Sequence, residues 1–77
     1  MSVHLAICKV LSEYLSGKRD IEDCAVPGIK WHSLRRALLA CKAYHDAMPK
    51  QKPHFLAEKK RAEARFWLDN GIRWPYC

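Results

Sequence analysis

Residues 20–44 read DIEDCAVPGIKWHSLRRALLACKAY, and the rest of the chain is arranged around this stretch. It predicts a short helix over 21–25, a tight turn at Val26, Pro27, Gly28 and Ile29, and a longer helix that meets no breaker before Pro49. Asp20 suits the start of the short piece, because its carboxylate can accept amide protons that no preceding turn uses. Proline in second place and glycine in third specify a type II turn, whose third residue needs a positive φ. Roughly four to five helical turns fit between Ile29 and Pro49 at 3.6 residues each. No residue between Asp23 and Asp46 is acidic, whereas Lys30, Arg35, Arg36 and Lys42 are basic. The long helix is therefore expected to be central, with a basic outer side.

Upstream, residues 3–15 have helical periodicity. Val3, Ile7, Val10, Leu11, Tyr14 and Leu15 share one face, and Lys9, Ser12, Glu13 and Ser16 the opposite one. Ser2 can cap the start and Gly17 can end it. In the central helix, Trp31, Leu34, Leu38, Cys41 and His45 recur at three- and four-residue steps, with Ala37, Tyr44 and Met48 beside them. His32, Arg35, Arg36, Leu39, Ala43 and Asp46 fall on the far side. Downstream, Pro49 to Pro53 form a stiff basic connector, since each proline restricts its own φ and its predecessor. A last helix is predicted over 54–69, with Asn70 and Gly71 as its C-terminal cap. Its apolar residues do not form one stripe. Phe55, Ala62 and Phe66 share one side, Leu56 and Trp67 a second, and Ala57, Ala64 and Leu68 a third. A helix apolar on several sides is central to a bundle or shared with another chain. The segment 72–77 carries Trp74 and Tyr76 and is expected to fold back over the bundle.

The expected fold is thus all-α, one domain over residues 1–77 with four helices and an aromatic C-terminal tail. A chain this short buries only about 60% of its unfolded surface, so a small core is expected. No apolar run approaches the ~20 residues of a membrane span, and the N-terminus lacks the basic-then-apolar layout of a signal peptide. These features lead to the expectation of a soluble, cytoplasmic protein. The net charge of +6 and pI near 9.4 point to an anionic partner, nucleic acid first among them. The four cysteines, Cys8, Cys24, Cys41 and Cys77, are expected as reduced thiols in a chain without an export signal.

Over residues 20–38 the chain resembles the helix-turn-helix of phage and bacterial regulators. Gly28 matches the turn glycine, Ile29 the apolar residue after it, and Leu34 the apolar anchor of the second helix. The resemblance implies DNA binding, with Lys30, His32, Ser33, Arg35 and Arg36 placed to reach bases or phosphates and Lys50 and Lys52 on the backbone. It departs from the family pattern in the brevity of the first helix, in Pro27, and in Asp23 at a position normally apolar. The alternative is a helical hairpin whose basic face is merely solvated.

Three other constellations stand beside it. His4 and Cys8, like Cys41 and His45, are four residues apart on helices, a spacing from which two pairs could build a Cys2His2 zinc site; buried core cysteines are the competing expectation. No carboxylate pair, glycine-rich phosphate loop or nucleophile elbow is present, so neither an enzyme nor a cofactor is expected. Finally, Ala57, Ala64, Trp67, Leu68, Trp74 and Tyr76, with Arg65 and Arg73 among them, suit a protein contact, since Trp, Tyr and Arg dominate binding hot spots. Small phage-type inhibitors or antirepressors that bind a repressor or host protein supply the second functional class. A homodimer through the Ala57–Ala64–Leu68 side is the simplest form of such a contact.

Overall fold

The structure, a computed structural model, describes residues 2–75; Met1, Tyr76 and Cys77 lie outside the described residues. It is all-helical: α1 (Val3–Leu15), α2 (Trp31–Asp46) and α3 (Lys52–Asn70), with a 3-10 turn at Ile21–Asp23. The expected second helix is therefore corrected to a single turn. Asp20 makes no side-chain capping bond there, and the run breaks off where Pro27 restricts Val26 to extended backbone. The described residues hold three α-helices rather than four.

Each helix end has a local cause. Ser2 Oγ accepts the Leu5 amide at 3.2 Å, capping α1. At its other end, Gly17 at φ +80° lets its own amide reach the Tyr14 carbonyl at 3.1 Å and the Lys18 amide reach the Glu13 carbonyl at 2.8 Å. That pair of bonds is the Schellman closure, which uses carbonyls the helix leaves orphaned. Arg19 then holds the exit, its Nε donating to Glu13 Oε2 and its Nη1 to the Asp23 carbonyl, both at 2.8 Å. The turn that follows is type II as expected. Gly28 sits at φ +83°, and the Ile29 amide reaches the Val26 carbonyl at 3.2 Å. Helix α3 begins two residues before the expected start, because Pro53 falls in the first turn, where its missing N–H has no partner to lose.

Helix α2 is central: it packs along α3 and against α1, and supplies Leu34, Ala37, Leu38 and Cys41 to the core. Ile7, Val10 and Leu11 come from α1, Ala62 and Phe66 from α3, and Cys24 and Val26 from the loop. The expected inward set of α2 is partly corrected. His45 and Met48 are exposed, Trp31 is half-buried, and Ser33 is 1% exposed. The buried arc is turned toward Ser33 by roughly half of the 100° residue step, because α3 covers that side. Residues 72–75 fold back over the bundle, as expected: Trp74 meets Phe66 edge-on with ring centroids 5.0 Å apart. Cys24 and Cys41 are free and buried, whereas Cys8 is disulfide-bonded, which corrects the expectation that every thiol is reduced. Among the described residues no helix is long and apolar enough to cross a membrane.

Candidate nucleic-acid interface

The start of α2 is held from outside. Lys30, its N-cap, offers no side-chain capping bond. Instead Asn70 Oδ1, at the end of α3, accepts the Lys30 amide at 2.8 Å, and the neighbouring Asp69 carboxylate takes the Ser33 hydroxyl. Asp69 would be unfavourable at the C-terminus of its own helix, where the dipole is negative. Two neighbours reverse this: Arg65 Nε lies 3.2 Å from the carboxylate, and the positive end of α2 faces it. The Ser33 hydroxyl, with Arg65 and His32 adding, holds the Asp69 carboxyl below the usual carboxylate range. His32 Nε2 is 3.8 Å from the same carboxylate, on a side chain 76% exposed.

With its entry fixed this way, α2 presents His32, Arg35, Arg36 and Leu39 outward. Arg35 and Arg36 are exposed, and neither forms an ion pair among the described residues. Arg35 lies toward Tyr14 of α1, whose phenol is pushed up by burial against the pull of that guanidinium. Further along, Lys42 is committed: its ammonium is 3.6 Å from Asp46 and 5.7 Å from the centre of the Tyr14 ring.

The seven candidate nucleic-acid residues therefore divide. Lys30, His32, Arg35 and Arg36 lie exposed at the first two turns of α2. Ser33 does not belong with them; it faces α3 and its hydroxyl is used on Asp69. Lys50 is exposed, but it lies in the turn after α2, beyond a helix end that is about 15 Å along the axis from Arg36. Lys52 donates to the Tyr44 carbonyl at 2.9 Å and lies 4.5 Å over the Tyr44 ring, so its ammonium is partly committed.

The outward side of α3 differs. Ala57, Ala64, Trp67 and Leu68 are exposed, Leu68 at 79% and Trp67 at 46%. Arg61 pairs with Glu58 at 2.6 Å, and Arg73 stacks over the Trp67 ring at 4.5 Å. Trp74 is not part of this surface, because it is half-buried against Phe66. Tyr76 lies outside the described residues.

The residues of the zinc alternative are not brought together. His4 is exposed on the first turn of α1, and His45 points outward with its Nδ1 2.9 Å from Asp46 Oδ1. That imidazole, with Lys42 adding, holds the Asp46 carboxyl below its ordinary range. Cys41 is buried, which pushes its thiol up to about 11. Among the described residues no three His, Cys, Asp or Glu side chains converge on a metal position.

Two residues important to this site were not assigned to it from the sequence: Asp69, and Asn70, which was read only as a cap of its own helix. They act across 36 and 40 positions, so no local pattern joins them to α2. The signal that was present is the acidic residue itself, since Asp in a last helical turn opposes the dipole unless something outside the helix uses it. No known protein family, curated protein or solved structure matches the chain at a significant level.

Proposed function

We propose that this chain is a small nucleic-acid-binding regulator of the phage or bacterial kind, acting in the cytoplasm without catalysis or cofactor, through the outward face of α2. One observation supports it above the others: Arg35 and Arg36 stand exposed, side by side and without an ion pair among the described residues, on a helix whose end is fixed against α3. Paired guanidinium groups at the start of a rigid helix can take phosphates or the guanine edge of the major groove. Lys30 and His32 extend the contact toward the N-terminus of α2, and Lys50 adds a backbone contact at the far end. Only α2 and the type II turn remain of the helix-turn-helix resemblance, so the proposed element is a single helix rather than a helix pair.

Fluorescence anisotropy with a labelled duplex, across a range of salt, tests the proposal. Wild-type binding should weaken steeply with salt, and Arg35→Ala with Arg36→Ala should bind more weakly with a shallower dependence. Equal isotherms for the two proteins would remove it.

A second reading is favoured by Trp67 and Leu68. Two adjacent large apolar side chains are exposed on α3, one carrying a stacked Arg73. Such a surface suits a protein contact, either a second copy of the chain or a repressor or host protein bound by an inhibitor. Sedimentation velocity separates the two forms: a homodimer persists in the purified protein, and a heterologous contact leaves it monomeric.

A further inference from the structure

At the opposite end of α2 from the arginines, α1, α2, α3 and the tail line a half-open cavity of about 260 Å³. This lies just below the size of about 300 Å³ at which small-molecule sites begin. Its walls are of two kinds. Leu11 and Leu15 of α1 and Trp74 and Pro75 of the tail give an apolar cleft. Cys41, at the edge of the core, keeps a neutral thiol because burial pushes it up to about 11. The charged wall comes from α3. Glu63 Oε2 is shut off from water and lies 2.7 Å from Lys59 Nζ, so those two charges offset each other. Among the described residues no carboxylate offsets Lys52. Its ammonium has three protons to donate, and the Tyr44 carbonyl accepts one at 2.9 Å.

We propose that this cavity binds a small aryl carboxylate, a monoanion with a single aromatic ring. The ring lies against Trp74 between Leu11 and Leu15, and the carboxylate takes a remaining donor of Lys52. The class follows from size and charge. The volume admits one ring rather than two, and the apolar cleft would strip the hydration of a phosphate or polyanion without replacing it. The Lys52 ammonium, which pairs with no carboxylate among the described residues, disfavours an amine and favours an acid. An ammonium already seated over an aromatic face also presents its free protons in a fixed direction, which lowers the ordering cost of binding. The site is independent of the arginine face of α2 and of what that face binds.

The test is a titration of the full ¹⁵N-labelled chain followed by NMR, with phenylacetate as the probe and its neutral isostere phenylacetamide beside it. Phenylacetate should produce saturable shifts at the Trp74 indole N–H. Phenylacetamide should bind about tenfold more weakly or less well still, because it forgoes a charge-assisted hydrogen bond. Lys52→Met should bring phenylacetate down to the level of the amide, and Lys52→Arg should restore the preference for the acid. Because Lys52→Arg keeps the cation and the helix start, it separates loss of the anion contact from loss of the fold. Equal binding of acid and amide by the wild-type chain would overturn the proposal, as would the absence of saturable shifts at Trp74.

Discussion

The outward faces of α2 and α3 both carry arginines next to apolar side chains, yet they are built on different terms. Along α3 most cations are matched, Arg61 by Glu58, Arg65 by Asp69 and Lys59 by Glu63, and just past its end Arg73 lies over the Trp67 ring; among the described residues Lys52 and Lys60 pair with no carboxylate. On α2 the two arginines of the second turn pair with no carboxylate among the described residues, and Leu39 beside them is 36% exposed. Composition alone would rank the two helices alike. What separates them is the spacing of acidic residues, three or four positions from each of Lys59, Lys60, Arg61 and Arg65 on α3 and absent from α2 before Asp46. A face with offset charges and exposed Leu68 suits an apolar partner, and a face with uncompensated charge suits an anion.

The sharpest test of that contrast removes two positive charges from either side. Arg35→Ala with Arg36→Ala should lower duplex affinity and reduce the slope of log K against log salt by about 1.8, at about 0.9 for each phosphate lost. Arg61→Ala with Arg73→Ala, which changes net charge by the same amount, should leave the slope nearly as it was. Equal losses from the two pairs, measured by anisotropy, would mean that net charge matters and the face does not.

Leu68→Glu addresses α3 in the same way. It should shift a dimer to monomer in sedimentation velocity at micromolar concentration, and leave the helical circular dichroism signal intact, since Leu68 is 79% exposed. A wild-type chain that already sediments as a monomer would assign that face to another protein or to solvent.

Asp69→Asn tests the clamp that orients the arginine face. The Asp69 carboxyl is held low chiefly by the Ser33 hydroxyl, with Arg65 contributing. A depressed carboxyl stabilises the folded state above the unfolded value near 3.9 and loses that contribution as the pH falls through the lower folded value. Wild-type melting temperature should therefore fall on acidification below about pH 4. The variant should melt lower at neutral pH and show a flatter acid limb in thermal scans monitored by circular dichroism.

The smallest effect expected is at the turn. Gly28 has φ +83° and open space where a Cβ would stand, so Gly28→Ala meets backbone strain without a clash. The cost should be about 1 kcal/mol, or roughly 4–8 °C in melting temperature for a domain of this size. Duplex affinity should not move, because α2 keeps its clamp.

The sequence foretold features with local causes and missed those with distant ones. Ser2, Gly17, the Pro27–Gly28 turn and Gly71 all act within four residues, and each does what its type requires. The three-sided pattern of α3 also anticipated that Leu68 would be left uncovered. Ser33 was misplaced because periodicity alone puts serine outward, whereas a hydroxyl can be buried when a carboxylate accepts its proton. His45 was placed inward for the opposite reason: it continued an apolar series that the packing ends at Cys41. The short piece at 21–25 failed as a helix because five residues cannot repay nucleation and Pro27 keeps the run from growing. Lys52 and Trp74 meet at one cavity from positions 22 apart, which no pattern along the chain expresses.

The bonds from Asn70 and Asp69 to the start of α2 bear on how the molecule opens. An α-helix leaves its first amides without partners inside the helix, and such amides exchange with solvent by fraying. Here the Lys30 amide is held by Asn70, a residue of the last turn of another helix. The two helix ends should therefore open as a single foldon: protection of the first α2 amides against deuterium should disappear together with that of the last turn of α3. The tip of α2 that carries Arg35 and Arg36 would then share the fate of the C-terminal end of α3, and a chain shortened before Asp69 would expose the α2 entry to exchange while the helix still stood at its centre.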